Sequence, residues 1–562
     1  MARALALIAA LAFATGASAH EETALSAEEE QAKMRESFAQ PEPGVPFAPL
    51  RIALLDAATG AALAGNVRVT NAAGVPFLLE RVAPRGKELR PGGWHATDGA
   101  FEVAMPVGKL RVEAFQGLET EIAAREVEVL PGVGAEVELT LPRFASAFER
   151  GLASGNTHLH LMAWPVERVE NYLRDTTAAD QVDFAWVSHL ERFDTDTPYT
   201  SNELSREELE ALATPSTRFG WGEELRHNFG AYSIGYGHVL LLDLERLVQP
   251  VSIGPALAGT PHDAPGLAPL IEEAKAQDAW AIWAHGANGY EDLPSWVLGR
   301  LDAQNLYDGA APDDKLFGDH ATFANVFYPL LDVGLAVPFS TGTDWFVGDL
   351  SRVYVSLEGD RTTGAFLASL AAGRSFITNG PLLDLAVAEA GPGGVVALEA
   401  PGVVPVRVRA IGRVDFGALE LVVNGRVVAK SEAFRVDGHY EAGIAQAIGL
   451  EGPAWVAARV SPGEAQSEFG KPLFAHTSAV TVAIDGARPF RSDVARKLVL
   501  EMDWNVRTIH AKAKFADAEQ ADAVTAPYRE AMRTLMARLS WRDWFHAWAV
   551  RVLRTLKGWA GL

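Results

Sequence analysis

Short alternations of apolar and polar residues, set apart by glycine and proline, run from residue 46 to residue 142. They recur at 51–55, 66–70, 100–105, 109–114 and 135–141, and a period of two marks strands with one buried face. Evenly spaced short strands of this kind predict a small β-sandwich over 46–142. Between residues 143 and 381 compact apolar runs such as 183–187 and 280–283 take turns with stretches of helical period at 265–277 and 363–372. Strand and helix in alternation predict an α/β domain. The two-residue pattern returns over 382–486, at 406–410, 419–423, 454–460 and 479–484, and predicts a second β-sandwich. Residues 487–562 keep a helical period and predict a helical tail. Nothing repeats at solenoid spacing.

Ahead of the first sandwich, Arg3, an apolar run at 5–14 and the small residues Ala17-Ser18-Ala19 stand in the order of an export signal covering 1–19. The run is too short to span a bilayer, although a retained N-terminal anchor is the competing reading. Residues 20–45 are acidic, then proline-rich, and read as a linker. The expected mature protein is soluble and periplasmic or secreted.

Composition narrows the function classes. A chain of 562 residues has room for three or four domains at roughly 150 residues each. With 48% apolar and 22% charged residues it can bury sizeable cores. Its 49 basic and 72 acidic residues give a formal charge of −23, and loss of 1–19 removes Arg3 and no acid, leaving 48 against 72, or −24. Such a charge repels phosphate backbones and argues against a nucleic-acid partner, so any anionic substrate needs a local cation. The absence of cysteine excludes disulfides, thiolate nucleophiles, Cys-zinc sites and iron–sulfur clusters.

Eight of the fourteen histidines fall between His158 and His320, in the α/β section. His158 and His160 are two residues apart on the expected strand, which puts both imidazoles on one face with Cα atoms roughly 7 Å apart. Alone, such a pair suits either a shared metal or a buried pair satisfied by backbone hydrogen bonds. Further polar groups stand where apolar strands end: Ser188-His189 after 183–187, His285 after 280–283, and Asp344 in Ser340-Thr341-Gly342-Thr343-Asp344. In a β/α barrel the carboxyl ends of the strands converge on the active site. Glu223, Glu224, His227 and His238, the last just before the strand 239–242, add to the set. Several histidines with one or two carboxylates suit Zn, Mn or Fe.

The order H-x-H, S-H, G-E-E, G-H, A-H-G, G-T-D resembles the polymerase and histidinol phosphatase (PHP) superfamily, in particular its CehA/McbA-type metallohydrolases. The segments 352–355 and 373–381 resemble those after that group's last ligand, 474–478 its trailing β-domain, and the first sandwich, with 94–99, its regulatory-like leading domain. The resemblance spans 46–520 and implies a distorted β/α barrel, flanked by two β-sandwiches, with a centre of two or three metals and hydrolytic chemistry. Three departures bear on it. His160 is followed by Leu161-Met162-Ala163-Trp164-Pro165 in place of a segment that brings an acidic ligand. Asp344 is followed by Trp345 and Phe346 where many relatives have Asp-x-His. Ser188-His189 replaces Asp-His, with Glu191 or His227 as substitute donors. One or two metal ions per chain is therefore the expectation.

The functional expectation is an exported, metal-dependent hydrolase of an ester, amide, carbamate or phosphoester in a small-molecule substrate. His158, His160, His189, Glu224, His238, His285 and Asp344 would hold divalent Zn, Mn or Fe. Asp344, His285 and Glu224 would carry the chemistry, the site depending most on Asp344. Arg374 or Arg352 could neutralise an anionic substrate or serve as a structural charge. Trp164, Trp186, Trp221, Trp283, Trp296 and Trp345 could wall an apolar pocket or fill the core. From another class comes a non-catalytic binding protein with a degenerate barrel. His20 at a mature N-terminus offers a third reading, a copper site. Finally, Trp541, Phe545, Trp548, Val552, Leu556 and Trp559 share one helical face, opposite Arg542, Arg551, Arg554 and Lys557. This helix would lie on an anionic membrane surface or dock onto the protein's own domains or a second copy.

Overall fold

The 46–142 alternation pairs into two sheets. In the computed structural model, which describes residues 38–79, 83–84, 92–192, 198–230, 233–254, 261–285, 289–306, 327–357 and 359–539, strand Phe47–Asp56 lies between Ala100–Pro106, antiparallel, and Ala135–Leu141, parallel. Gly65–Thr70 lies in a second sheet, between His95–Thr97 and Gly108–Phe115. Period two decides which residues face in: Leu50, Ile52 and Leu54 from the first sheet meet Val67, Val69 and Val112 from the second in one core. The expected export signal, His20, His320 and the amphipathic stretch 541–559 lie outside the described residues.

The main sheet starts from Leu152–His160, which pairs in parallel with Phe184–His189 on one side and Asp344–Trp345 on the other. From Phe184–His189 the sheet continues in parallel to Arg218–Gly230, then by antiparallel steps to Ser233–Leu242 and Trp280–Trp283. Two parallel steps, to Ala303–Asn305 and Phe339–Ser340, follow. After residues 341–343 the chain is back beside Leu152–His160, so the sheet curls round on itself. Helix Val166–Asp180 joins the first two parallel strands, as a parallel crossover requires, and ends where Gln181 turns left-handed at φ 54°. Its Val169, Tyr172 and Leu173 pack on Leu159, Val187 and Phe219, covering the outer face of the sheet. The opposite face carries His158 and His160.

At residue 382 the chain leaves the main sheet for a smaller one, and later strands return to the main sheet. Ser375–Thr378 pairs with Ala475–Thr477, and through it Ala454–Val460 and Val480–Ile484 continue the main sheet. A separate four-stranded sheet holds Leu382–Val387, Gly402–Gly412, Phe434–Val436 and His439–Leu450. The helical tail is not an appendage. Helices Ser492–Lys512 and Ala518–Ala537 put Leu498, Met502, Ile509, Tyr528 and Leu535 into the same core as Leu240, Ile271 and Trp283. The fold is mixed α/β, rich in strands and poor in helices, with one curled sheet and several smaller ones. No helix among the described residues is long and apolar enough to cross a membrane.

Candidate metal centre

Strand pairing assembles the centre from distant parts of the chain. Asp344 pairs with Leu159, and Trp345 with His160. The return loop must run close against the first strand, because a Cβ on Gly342 would lie 2.6 Å from both the backbone nitrogen and Cβ of His158. Glycine is needed there for close approach rather than for the tight turn its position suggests. Asn156 and Thr343 bind this loop further, Nδ2 of Asn156 donating to Oγ1 of Thr343 at 2.8 Å. On the other side Glu224 sits on Arg218–Gly230, where the two-residue period turns Glu224 to the histidine face and Glu223 away from it. Glu223 accepts from the Val248 backbone N–H at 3.0 Å instead.

Four side chains close on one point. Nε2 of His158 lies 3.1 Å from Nε2 of His160, 3.6 Å from Oε2 of Glu224 and 3.5 Å from Oδ1 of Asp344. Nε2 of His160 lies 2.9 Å from Oε2 of Glu224 and 3.9 Å from Oδ1 of Asp344. A tetrahedral site with bonds of about 2.0–2.1 Å has ligand–ligand edges of about 3.3–3.4 Å, and the five distances bracket that value. The donor chemistry agrees. Nδ1 of His160 donates to the Ser188 carbonyl at 2.9 Å, which fixes the ring and turns Nε2 to the centre. Nε2 faces a carboxylate oxygen at hydrogen-bonding distance, so a proton or a cation must stand between them.

A second group shares Glu224. Its Oε1 lies 2.9 Å from Nδ1 of His238 and 3.3 Å from Nε2 of His285. The two carboxylate oxygens of Glu224 are thus divided, Oε2 to the first group and Oε1 to the second. Antiparallel pairing of Ser233–Leu242 with Arg218–Gly230 brings His238 across from Arg226, and His285 follows the end of Trp280–Trp283. His285 and Asp344 both hold left-handed backbones, φ 56° and 57°. For non-glycine residues this region costs roughly 1–3 kcal/mol and is concentrated at functional sites.

Electrostatics favour an anionic Glu224. Burial alone would raise its pKa, but the Arg226 guanidinium, His238 and the hydrogen bonds with His158 and His160 outweigh it and hold the carboxyl well below the usual range. Burial, then the Arg226 charge, holds His238 well below its ordinary value and therefore neutral, as a metal ligand must be. For His285 burial pulls downward, yet the hydrogen bond to Glu224 and the charges of Glu224 and Asp344 prevail and raise its pKa.

Six of the seven expected ligands fall into these two groups. His189 belongs to neither. It is the register partner of Glu223, on the outward-facing set of the strand, and its Nε2 lies 3.7 Å from Glu191; the preceding Ser188 takes the inward position. His227, weighed as a substitute donor, is committed elsewhere, with Nε2 at 2.9 Å from Asp263 and Nδ1 accepting from the Tyr236 backbone N–H at 2.9 Å. Arg352 is structural, buried and bonded to the carbonyls of Leu350 and Asp180. Of the tryptophans, Trp186, Trp283 and Trp296 lie in the core, whereas Trp345 stands beside the centre with its ring 5.4 Å from that of His160. Sequence reasoning missed Arg226. Its signal was the spacing Glu224-x-Arg226, which on a strand puts both side chains on one face.

No family model matches the chain, and no curated protein matches it. Among solved structures, a β-glucuronidase from Parabacteroides merdae aligns over 75% of this chain and 60% of its own, with 10% identity and a TM-score of 0.17. An engineered protein aligns over 57% of this chain and 69% of its own, with 15% identity and a TM-score of 0.13. The chain spans 60% of the length of the glucuronidase, and likenesses at these TM-scores carry no argument. A functional reading of this chain therefore starts from a mixed α/β fold with a buried His/Glu/Asp cluster able to hold a metal ion.

Proposed function

We propose that the protein is a metal-dependent hydrolase, exported from the cell, whose curled sheet is a distorted β/α barrel of the PHP kind flanked by two β-sandwiches. The observation that carries the metal part of the reading is the division of Glu224 between two donor groups. Oε2 faces His158, His160 and Asp344, while Oε1 faces His238 and His285. One carboxylate shared by two groups suits a two-metal centre, and imidazole with carboxylate suits Zn, Mn or Fe. The acidic ligand expected after His160 is not needed for a closed first group, since Asp344 supplies the fourth donor.

A divalent ion in such a centre lowers the pKa of water from about 15.7 towards about 7 and makes hydroxide available at neutral pH. The chain's own groups do the rest. Glu224 and Asp344 supply the negative charge, and the Ser188 carbonyl fixes the tautomer and orientation of His160. Asp344 turns Oδ1 to the histidines, which leaves Oδ2 to take a proton from the attacking water. Trp345 and Tyr199, with ring centroids 5.8 Å apart, give the approach an aromatic wall. The substrate is a small molecule with an ester, amide, carbamate or phosphoester bond.

The test is a panel of aryl esters, carbamates and phosphoesters, assayed with the protein loaded with Mn, Fe or Zn. Turnover that depends on added metal and is lost in Glu224→Gln supports the reading. Bound metal with no turnover of any class would leave the protein a metal-binding module instead.

A further inference from the structure

We propose that Arg226 forms an anion-binding subsite beside the metal centre, so that the substrate carries a negatively charged oxyanion next to the bond that is cleaved. The proposal rests on the metal-centre reading and adds the substrate class to it.

Placement comes first. Arg226 is two residues from Glu224 on one strand, hence on the same face, and is the register partner of His238. Only 6% of Arg226 is exposed, and its Nε has no hydrogen-bond partner among the described residues. A buried guanidinium with an unmet donor is costly unless a charged acceptor arrives. Charge counting points the same way. Glu224 and Asp344 bring two negative charges, which one divalent ion cancels; a second ion adds two more positive charges, and Arg226 stands as surplus in either case. The guanidinium carbon of Arg192 lies 5.8 Å from the Trp345 ring centroid.

Asn228 couples this subsite to the metals. With Oδ1 of its amide facing Nε2 of His238 at 3.3 Å, His238 carries its proton on Nε2 and turns the lone pair of Nδ1 to the centre. In the reversed orientation, which satisfies all three neighbours, the amide nitrogen donates to Nε2 of His238 and to the His227 carbonyl and the oxygen accepts from Nη2 of Arg226, each at 3.3 Å. The proton of His238 then sits on Nδ1, where a metal would bind. Metal binding at His238 therefore requires the first orientation, in which Arg226 loses the Asn228 oxygen as an acceptor. An oxyanion replaces it. A planar fork of donors fits two oxygens of a phosphate or carboxylate at once.

Inorganic phosphate is the probe, titrated calorimetrically into metal-loaded protein after elemental analysis has confirmed the metal content. Wild type is expected to bind phosphate, and to bind it less tightly when metal-free. Arg226→Gln should keep its metals and bind phosphate about 10-fold or more weakly. Arg226→Lys keeps the charge but not the fork, and should fall between the two. Wild-type phosphate affinity in Arg226→Gln with metals intact overturns the role of Arg226. If that variant does not fold, wild-type affinity in Arg226→Lys overturns it equally. A metal-loaded wild type that binds no phosphate also overturns it. Absence of metal from wild type, seen before any titration, overturns the metal-centre reading as well. Arg226-dependent phosphate binding without turnover of any ester supports the subsite while removing the hydrolase reading.

Discussion

Nε2 of His160 and Oε2 of Glu224 face each other at 2.9 Å, while Nδ1 of His160 donates to the Ser188 carbonyl. A proton or a cation therefore stands between the two buried atoms. The other oxygen of the same carboxylate lies 2.9 Å from Nδ1 of His238. Glu224 is therefore the joint of the centre.

Asp344 is the second carboxylate donor and the more exposed of the two. Asp344→Asn keeps the shape and the tolerance for a left-handed backbone but loses the charge. Hydrolysis is expected to fall by roughly 10²-fold or more with weaker metal binding and little change in melting temperature. Turnover and metal stoichiometry equal to wild type would reduce Asp344 to a turn-forming residue.

Gly342 tests whether the close approach of the return loop matters. In Gly342→Ala the added methyl meets His158 at 2.6 Å, and backbone in that position has nowhere to yield. A loss of about 1–3 kcal/mol in stability is expected, with metal lost from the first group before the second. Unchanged denaturant midpoint and metal content would show the loop to be looser than the register implies.

His189 and His238 make a paired control. His238→Ala should lower the metal content of a two-metal protein towards one equivalent, since His238 serves only the second group. His189→Ala should leave the content unchanged, because His189 lies outside both groups. Equal losses in the two variants would contradict the assignment of strand faces.

Away from the centre, burial and then the nearby Glu501 raise the carboxyl of Asp292 from its ordinary 3.8 to about 8. The folded state thus holds a proton that the unfolded chain releases near pH 4, and stability falls as pH rises from about 4 through about 8. Asp292→Asn mimics the protonated form. Its melting temperature should match wild type near pH 4 and exceed it increasingly up to pH 8; a constant difference across that range would argue against the buried proton.

Much of the centre was legible in the sequence for simple reasons. His158 and His160 share a face by the two-residue period alone, and His238, His285 and Asp344 stand beside apolar strands that are easy to recognise. Choices between neighbours were not legible. Glu223 against Glu224, and Ser188 against His189, turn on register, which strand pairing sets between segments far apart in sequence. The role of Gly342 depends on what passes within 3 Å of it, and Arg226 looks like any strand arginine until its burial is known. The expected boundary at residue 382 marks a change of pattern along the chain, yet hydrogen bonding carries the main sheet across it.

Metal content per chain in wild type and Glu224→Gln, measured by elemental analysis after loading with Zn or Mn and removal of free ion, tests the central claim most directly. The account predicts between one and two equivalents in the wild type, falling to about 0.2 or less in Glu224→Gln because both groups lose their shared anion, with the fold preserved by circular dichroism. A wild type that retains no metal, or a Glu224→Gln protein that retains all of it, would contradict the account.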